Sequence, residues 1–283
     1  MMLDHCTNLK RMMNENEFMA VPGVYDALSA QLAQQAGFPV LYVGSYATAA
    51  SAFGLADVGA VTMSEMANHA GRIAQAVKVP VIADAENGFY QAANIWRTVQ
   101  SFEQAGVAGI HIEDHEFGKH LNAPQVFLPK EQMSEKIRAA VEAKKNPNFS
   151  IIARTDTFWA MRDEKEAVER VNAYAEAGAD MVFLAGATPA DLKKFRKDIN
   201  SKVVITDSSG YTAEDEKASG ANLVLYYGFS LYAAYAGVKD ALNKWKMNQS
   251  DKSMVPLLDQ PEDFEKFIGF EEFVNRAKRY KMF

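Results

Sequence analysis

The chain of 283 residues is 48% hydrophobic with a formal net charge of -6, which allows one large core and, without any block of Lys or Arg, argues against a nucleic-acid partner. Its single cysteine, Cys6, excludes an internal disulfide and a thiolate zinc site and suits a reducing compartment. No apolar run approaches the ~18 residues of a membrane span, and Met1-Met2-Leu3-Asp4-His5 lacks the order of a signal peptide, so a cytoplasmic protein with no membrane partner is expected.

Residues 3–16 read as a short packing helix, with Leu9, Met12 and Met13 on one side. Strands are then predicted at 18–21, 40–43, 81–84, 109–113, 151–154, 181–184, 203–206 and 223–227. The helices between them are predicted at 27–36, 63–77, 92–105, 130–144, 165–177, 189–199 and 213–219. Four of these helices end in a small residue and a glycine, as in Ala36-Gly37, Ala105-Gly106, Ala177-Gly178 and Ser219-Gly220. Glycine takes the left-handed conformation that stops a helix before the next strand. Eight strands alternating with helices point to an α/β fold, a (β/α)8 TIM barrel, and no GxGxxG follows a strand to support a dinucleotide fold.

The chain continues beyond the eighth strand. Residues 229–246 read as a helix, 247–260 as a polar linker and 261–280 as further helix bearing Phe264, Phe267, Ile268, Phe270 and Phe273. Residues 1–283 are therefore taken as one barrel domain, with 229–283 as its helical extension. So many aromatic side chains need a surface to cover them, on their own barrel or a neighbour's, and a homo-oligomer is expected.

Two strands end in acid: Val81-Ile82-Ala83-Asp84-Ala85-Glu86 and Ile110-His111-Ile112-Glu113-Asp114. Buried strands do not finish in carboxylates for packing reasons, because an uncompensated buried charge is costly. In a barrel of this kind the carboxyl ends of the strands converge on one mouth, which gathers Asp84, Glu86, Glu113 and Asp114 with Asp57 from the loop after the second strand. Oxygen donors without a Cys or His cluster favour Mg2+ or Mn2+ over zinc; His111 is assigned to packing. Arg154 closes the fifth strand and Lys119 and His120 follow the fourth, supplying positive charge for a small anionic carboxylic acid. Backbone donors around Tyr42, Gly44, Ser45 and Tyr46 complete a mouth suited to stabilising an enolate.

The stretches Ser51-Ala52-Phe53-Gly54-Leu55-Ala56-Asp57, Asp84-Ala85-Glu86-Asn87-Gly88-Phe89, His111-Ile112-Glu113-Asp114 and Ile152-Ala153-Arg154-Thr155-Asp156 together resemble the isocitrate lyase and phosphoenolpyruvate mutase superfamily. The resemblance implies a barrel with Mg2+ held directly at Asp84 and through water by Asp57, Glu86 and Glu113, with Arg154 on the substrate. It also implies exchange of a C-terminal helix between paired subunits of a tetramer, a dimer of swapped dimers. The departures are specific. The lyases of the family carry a catalytic cysteine after the fourth strand, where this chain has Glu116-Phe117-Gly118-Lys119-His120; their glutamate after the sixth strand is Ala185 here; and Glu86-Asn87-Gly88 replaces their usual Asp-Thr-Gly. Gly44-Ser45, Phe117-Gly118-Lys119 and Leu184-Ala185-Gly186 are instead similar to the oxaloacetate decarboxylase branch.

Loss of the cysteine removes the acid that protonates a cleaved product, whereas decarboxylation releases carbon dioxide without one. The expectation is a Mg2+-dependent carbon–carbon lyase, foremost a decarboxylase of a 2-oxo diacid such as oxaloacetate. Arg154, Glu113, His120 and Asp57 are its expected catalytic residues, and Tyr42, Gly44, Ser45, Tyr46, Asn87, Lys119 and Arg154 its substrate contacts. Selectivity is expected to lie around Asn87, Tyr90, His120 and Tyr211. Phosphonopyruvate or phosphoenolpyruvate chemistry, a 2-methylisocitrate-type lyase and a non-catalytic carboxylate-binding barrel are the alternatives.

Overall fold

The computed structural model describes residues 4–117, 125–250 and 261–282, and the chain divides into two units, one ending at Leu231 and one beginning at Tyr232. Short runs of Val, Ile and Leu make the strands of the first: β1 (Met19–Pro22), β2 (Leu41–Val43), β3 (Val81–Asp84), β4 (Gly109–Glu113), a small hairpin of β5 (His115–Phe117) and β6 (Val126–Phe127), then β7 (Ser150–Thr155), β8 (Met181–Leu184), β9 (Val203–Thr206) and β10 (Leu223–Tyr226). The helices of this unit are α1 (His5–Glu15), α2 (Ala27–Gln35), α3 (Ser45–Thr48), α4 (Met63–Gln75), α5 (Ile95–Ala105), α6 (Lys130–Glu142), α7 (Thr157–Met161), α8 (Glu164–Glu176), α9 (Pro189–Phe195), α10 (Ala213–Ala218) and the start of α11 (Phe229–Asn248).

Eight parallel strands lie in the order β1-β10-β9-β8-β7-β4-β3-β2, and a parallel bridge between Gly23 and Tyr42 brings the two ends of the sheet together into a (β/α)8 barrel. The predicted bounds of β3, β4, β8 and β9 are those observed. Three features escape the sequence reading because each is too short to show a period: α3 with the π-turn Ala49–Phe53, the β5/β6 hairpin and α7. The 92–105 helix also opens as a 3-10 turn at Ala92–Asn94.

Alternation along each strand sorts the core into layers. Ile82, Ile152, Phe183, Val204 and Leu225 fill the barrel interior, closed at one end by Leu9 and Met13 of α1, while Val81, Ile110, Ile112 and Ile151 face the surrounding helices. The inward positions at the carboxyl ends are polar. Register places Asp84 beside His111 and Glu113 beside Arg154, so four ionisable groups meet at one rim.

The second unit holds the rest of α11 with α12 (Pro261–Phe267) and α13 (Phe270–Arg279). The single helix predicted over 261–280 is two, because Gly269 at φ +82° takes the left-handed conformation between them. Phe264, Phe270 and Phe273 are each about half exposed. No helix among the described residues is long and apolar enough to cross a membrane.

Gly23, whose bridge to Tyr42 closes the barrel on one side, faces β10 on the other: it donates its amide to Tyr226 O at 2.8 Å, and a Cβ on it would lie 2.4 Å from the carbonyl oxygen of Tyr227. Gly23→Ala is expected to push the end of β1 away from the end of β10 at a cost of about 1–3 kcal/mol, as overpacking of a close contact does. Urea unfolding checks this; an unchanged midpoint contradicts it.

Candidate active site

The mouth is built outward from Asp84, which ends β3 and is almost wholly buried. Its Oδ2 accepts the Ser45 hydroxyl at 2.8 Å and lies 3.3 Å from the Ser45 amide, while Oδ1 accepts the Glu86 amide at 2.8 Å. The Ser45 hydroxyl also reaches Asp57 at 3.2 Å, which ties the predicted loop carboxylate to the strand end. Beneath them the hydroxyl of Tyr42 sits 2.9 Å from Nε2 of His111, whose Nδ1 is 3.7 Å from Asp84. His111 is fully buried against Tyr42 and Phe183, so its packing role is joined to support of the carboxylate floor.

The positive side of the mouth is Arg154. Its Nε and Nη2 make a bidentate pair with Asp156 at 2.5 and 2.9 Å, Nη1 lies 3.2 Å from Glu113, and the guanidinium stacks 5.0 Å over the Phe183 ring. Burial alone would lower its pKa, but Asp156 and Glu113 hold it well above the usual range. For Asp156, burial pushes the pKa up, yet Arg154 and His115 outweigh it and keep the carboxyl well below the usual range. His115 lies 3.0 Å from Asp156 through Nδ1 and 2.8 Å from Gln125 through Nε2. Burial would lower the His115 pKa too, but Asp156 and Glu113 raise it overall. Neither Asp156 nor His115 figures in the sequence reading of the site. Their signal was the strand alternation that carries positions 113, 115, 154 and 156 to one side.

Oxygens of Asp84, Glu86 and Glu113, all buried, lie within 4.8 Å of one another. Three hard oxygen donors on adjoining strand ends fit Mg2+ or Mn2+. Glu113, His115 and Asp156 are equally close, but two of them flank the Arg154 guanidinium, whose charge disfavours a cation there. The first set is therefore the one that fits a metal ion.

Asp114, placed with the acidic set from sequence, turns the other way. Its carboxyl is fully buried outside the barrel and accepts hydrogen bonds from the Thr155 hydroxyl at 2.7 Å, the Tyr174 hydroxyl at 2.8 Å and Arg170 at 3.2 Å. Neighbouring residues on a strand face opposite sides, which is why Glu113 and Asp114 cannot share the mouth.

A cavity of about 220 Å3 opens over this rim. Tyr42, Gly44, Ser45, Tyr46, Asp57 and Asp84 line one part, as the sequence suggests, with Arg154 and Asp156 beside them. Trp159, Phe183 and Tyr227 form an aromatic wall that the sequence reading did not foresee. Trp159 stands on Gly186, where a Cβ would lie 2.7 Å from that of Trp159. The Asn87 side chain engages Glu116 O and the Phe89 amide at 2.8 and 3.0 Å, and the lining includes neither it, Tyr90 nor Tyr211. Lys119 and His120 lie outside the described residues. Cys6 is buried on α1 with Sγ 4.0 Å from Val107 O, on the amino-terminal side of β4.

Residues 9–246 match the family model described as phosphoenolpyruvate phosphomutase. The chain is 34% identical to 2,3-dimethylmalate lyase of Eubacterium barkeri, covering 95% of this chain and 96% of that one. A crystal structure of 2,3-dimethylmalate lyase, described as a PEP mutase/isocitrate lyase superfamily member, superposes with a TM-score of 0.86 at 29% identity over 99% and 100% of the two chains. Phosphonopyruvate hydrolase, solved with oxalate and Mg2+, superposes with a TM-score of 0.91 at 26% identity over 98% and 99%.

The depressed Asp156 carboxyl has a consequence for acid stability. Its contribution is fully present above the ordinary aspartate value of about 3.9 and is lost as pH falls below that toward the folded value. Asp156→Asn is expected to lower stability at pH 7 and to flatten the loss of stability below about pH 4. Denaturant midpoints at several pH values check this; parallel curves for the two proteins would contradict it.

Proposed function

This chain belongs to the isocitrate lyase/phosphoenolpyruvate mutase superfamily, and on that premise we propose that it is a Mg2+-dependent carbon–carbon lyase, foremost a decarboxylase of a 2-oxo diacid. The observation that carries the choice of reaction is a mouth lined by carboxylates, Arg154 and the Gly44-Ser45 backbone in a chain whose one thiol, Cys6, is buried on α1 away from it. Cleavage of a 2-hydroxy acid needs an acid to protonate the departing carbon. Decarboxylation needs none at the leaving group, because the carbon–carbon electron pair stays with the enolate as carbon dioxide departs.

In this reading Arg154 takes the substrate carboxylate with the donor edge that Asp156 and Glu113 leave to the cavity, and the Phe183 ring keeps the guanidinium in plane. Ser45 and the Glu86 amide hold Asp84 in place, while Tyr46, Trp159 and Tyr227 exclude water from the developing charge. Asp84, Glu86 and Glu113, with Asp57 behind Ser45, would hold Mg2+, which would supply positive charge beside the substrate oxygens. Lys119 and His120 keep the substrate and catalytic roles that the sequence suggests for them.

The test is product release from oxaloacetate, phosphonopyruvate and 2-methylisocitrate, with and without Mg2+. Pyruvate and carbon dioxide from oxaloacetate, abolished in Asp84→Ala, are expected. Turnover of phosphonopyruvate or 2-methylisocitrate instead moves the chain to the corresponding alternative. Mg2+-dependent binding of oxalate with no turnover of any of the three makes it a carboxylate-binding barrel.

The same reading takes the protein as a cytoplasmic homotetramer, a dimer of dimers with exchanged C-terminal helices. The half-exposed Phe264, Phe270 and Phe273 support it. Truncation after Lys246 is expected to reduce the mass measured by light scattering; a truncated protein of unchanged assembly contradicts the exchange.

A further inference from the structure

The turn that follows β3 is held carbonyl by carbonyl. Glu86 O accepts the Glu113 amide at 2.8 Å, Asn87 O accepts Nζ of Lys136 at 3.1 Å and Gly88 O accepts the Thr98 hydroxyl at 2.6 Å. Glu86 and Phe89 sit at φ +48° and +61°, left-handed conformations that persist only where the surroundings over-determine them. Two of the three holds are an amide and a hydroxyl. The third is an ammonium.

Lys136 is unusual for its type. Lysines on a surface helix keep the charged head in water, yet Lys136 is 3% exposed on the inner face of α6, beside Met133 and Ile137. Burial pulls its pKa down to about 8, with Glu116 and Asp114 holding it up. A neutral donor would satisfy one carbonyl at a lower desolvation cost. What an ammonium adds is positive charge beside a turn whose carboxylates converge.

We propose that Lys136 is a positioning residue: its ammonium, reaching from α6 to the Asn87 carbonyl, locks the Asp84–Gly88 turn so that Glu86 is presented with Asp84 and Glu113 as a divalent-cation site. The proposal rests on the metal reading above, and two measurements on the full chain separate them. The first is amide hydrogen exchange of residues 84–89 without metal, which reads the turn itself. The second is Mg2+ titration by calorimetry.

Lys136→Met, which keeps the apolar stem, is expected to speed exchange across 84–89 and to weaken Mg2+ binding by about 10-fold or more, the range seen when groups that orient metal ligands are removed. Lys136→Arg, which keeps a cationic donor, is expected to recover part of both. If Lys136→Met does not fold, Lys136→Gln, whose amide stops one atom short of Nζ, carries the same comparison. Native exchange and native Mg2+ affinity in a folded variant overturn the proposal, as does a lowered melting temperature with both readouts unchanged. A wild-type chain that binds no Mg2+ overturns the metal reading instead, and exchange across the turn then decides for or against Lys136 alone.

Discussion

Like charges do not gather without something to hold them. Asp84, Glu86, Glu113, Asp57 and Asp156 converge on one rim of the barrel, and much of the chemistry of this structure is the answer to their mutual repulsion. Two carboxylates flank one guanidinium; another receives a serine hydroxyl and two backbone amides. A charge taken out of water survives only when paired or hydrogen-bonded. Arg154 at the end of β7 and the turn after β2 provide that pairing, and the site is preorganised because it has to be.

The barrel supplies the frame for this at small cost to its own core. Inward positions are apolar at the α1 end and ionisable at the opposite rim, so a single strand such as β7 carries Ile152 in the interior and Arg154 at the mouth. The stable floor and the reactive rim are separated by one repeat of the strand period. Outward positions then belong to the helix layer, where Asp114 and Arg170 make a buried pair of their own behind the site.

Most of the frame was legible in the sequence, since β-branched runs and glycine helix stops report directly on burial and on chain reversal. The acidic strand ends and Arg154 were legible because charge at the end of an apolar run is chemically conspicuous. Asp114 was misplaced because composition does not say which of two adjacent acids faces inward. His115 and Trp159 lie in a strand of three residues and a helix of five, too short to show a period, and the approach of His115 to Asp156 joins elements distant in the chain. Nothing in the sequence singles out Lys136 within a helix rich in charge. Its burial is a property of the packing of α6, which no local pattern encodes.

The contact between Gly186 and Trp159 has a consequence for how such a pocket drifts in evolution. Trp159 occupies its place because position 186 has no side chain, at a φ of +74° that itself favours glycine. The two positions are therefore coupled through the backbone: a side chain at 186 would collide with the Cβ and Cα of residue 159, atoms that a smaller side chain there would keep, and would displace α7. A lineage that loses the glycine would shift Trp159, and with it one side of the cavity, in the same step, while Asp84 and Glu113, carried by β3 and β4, keep their places.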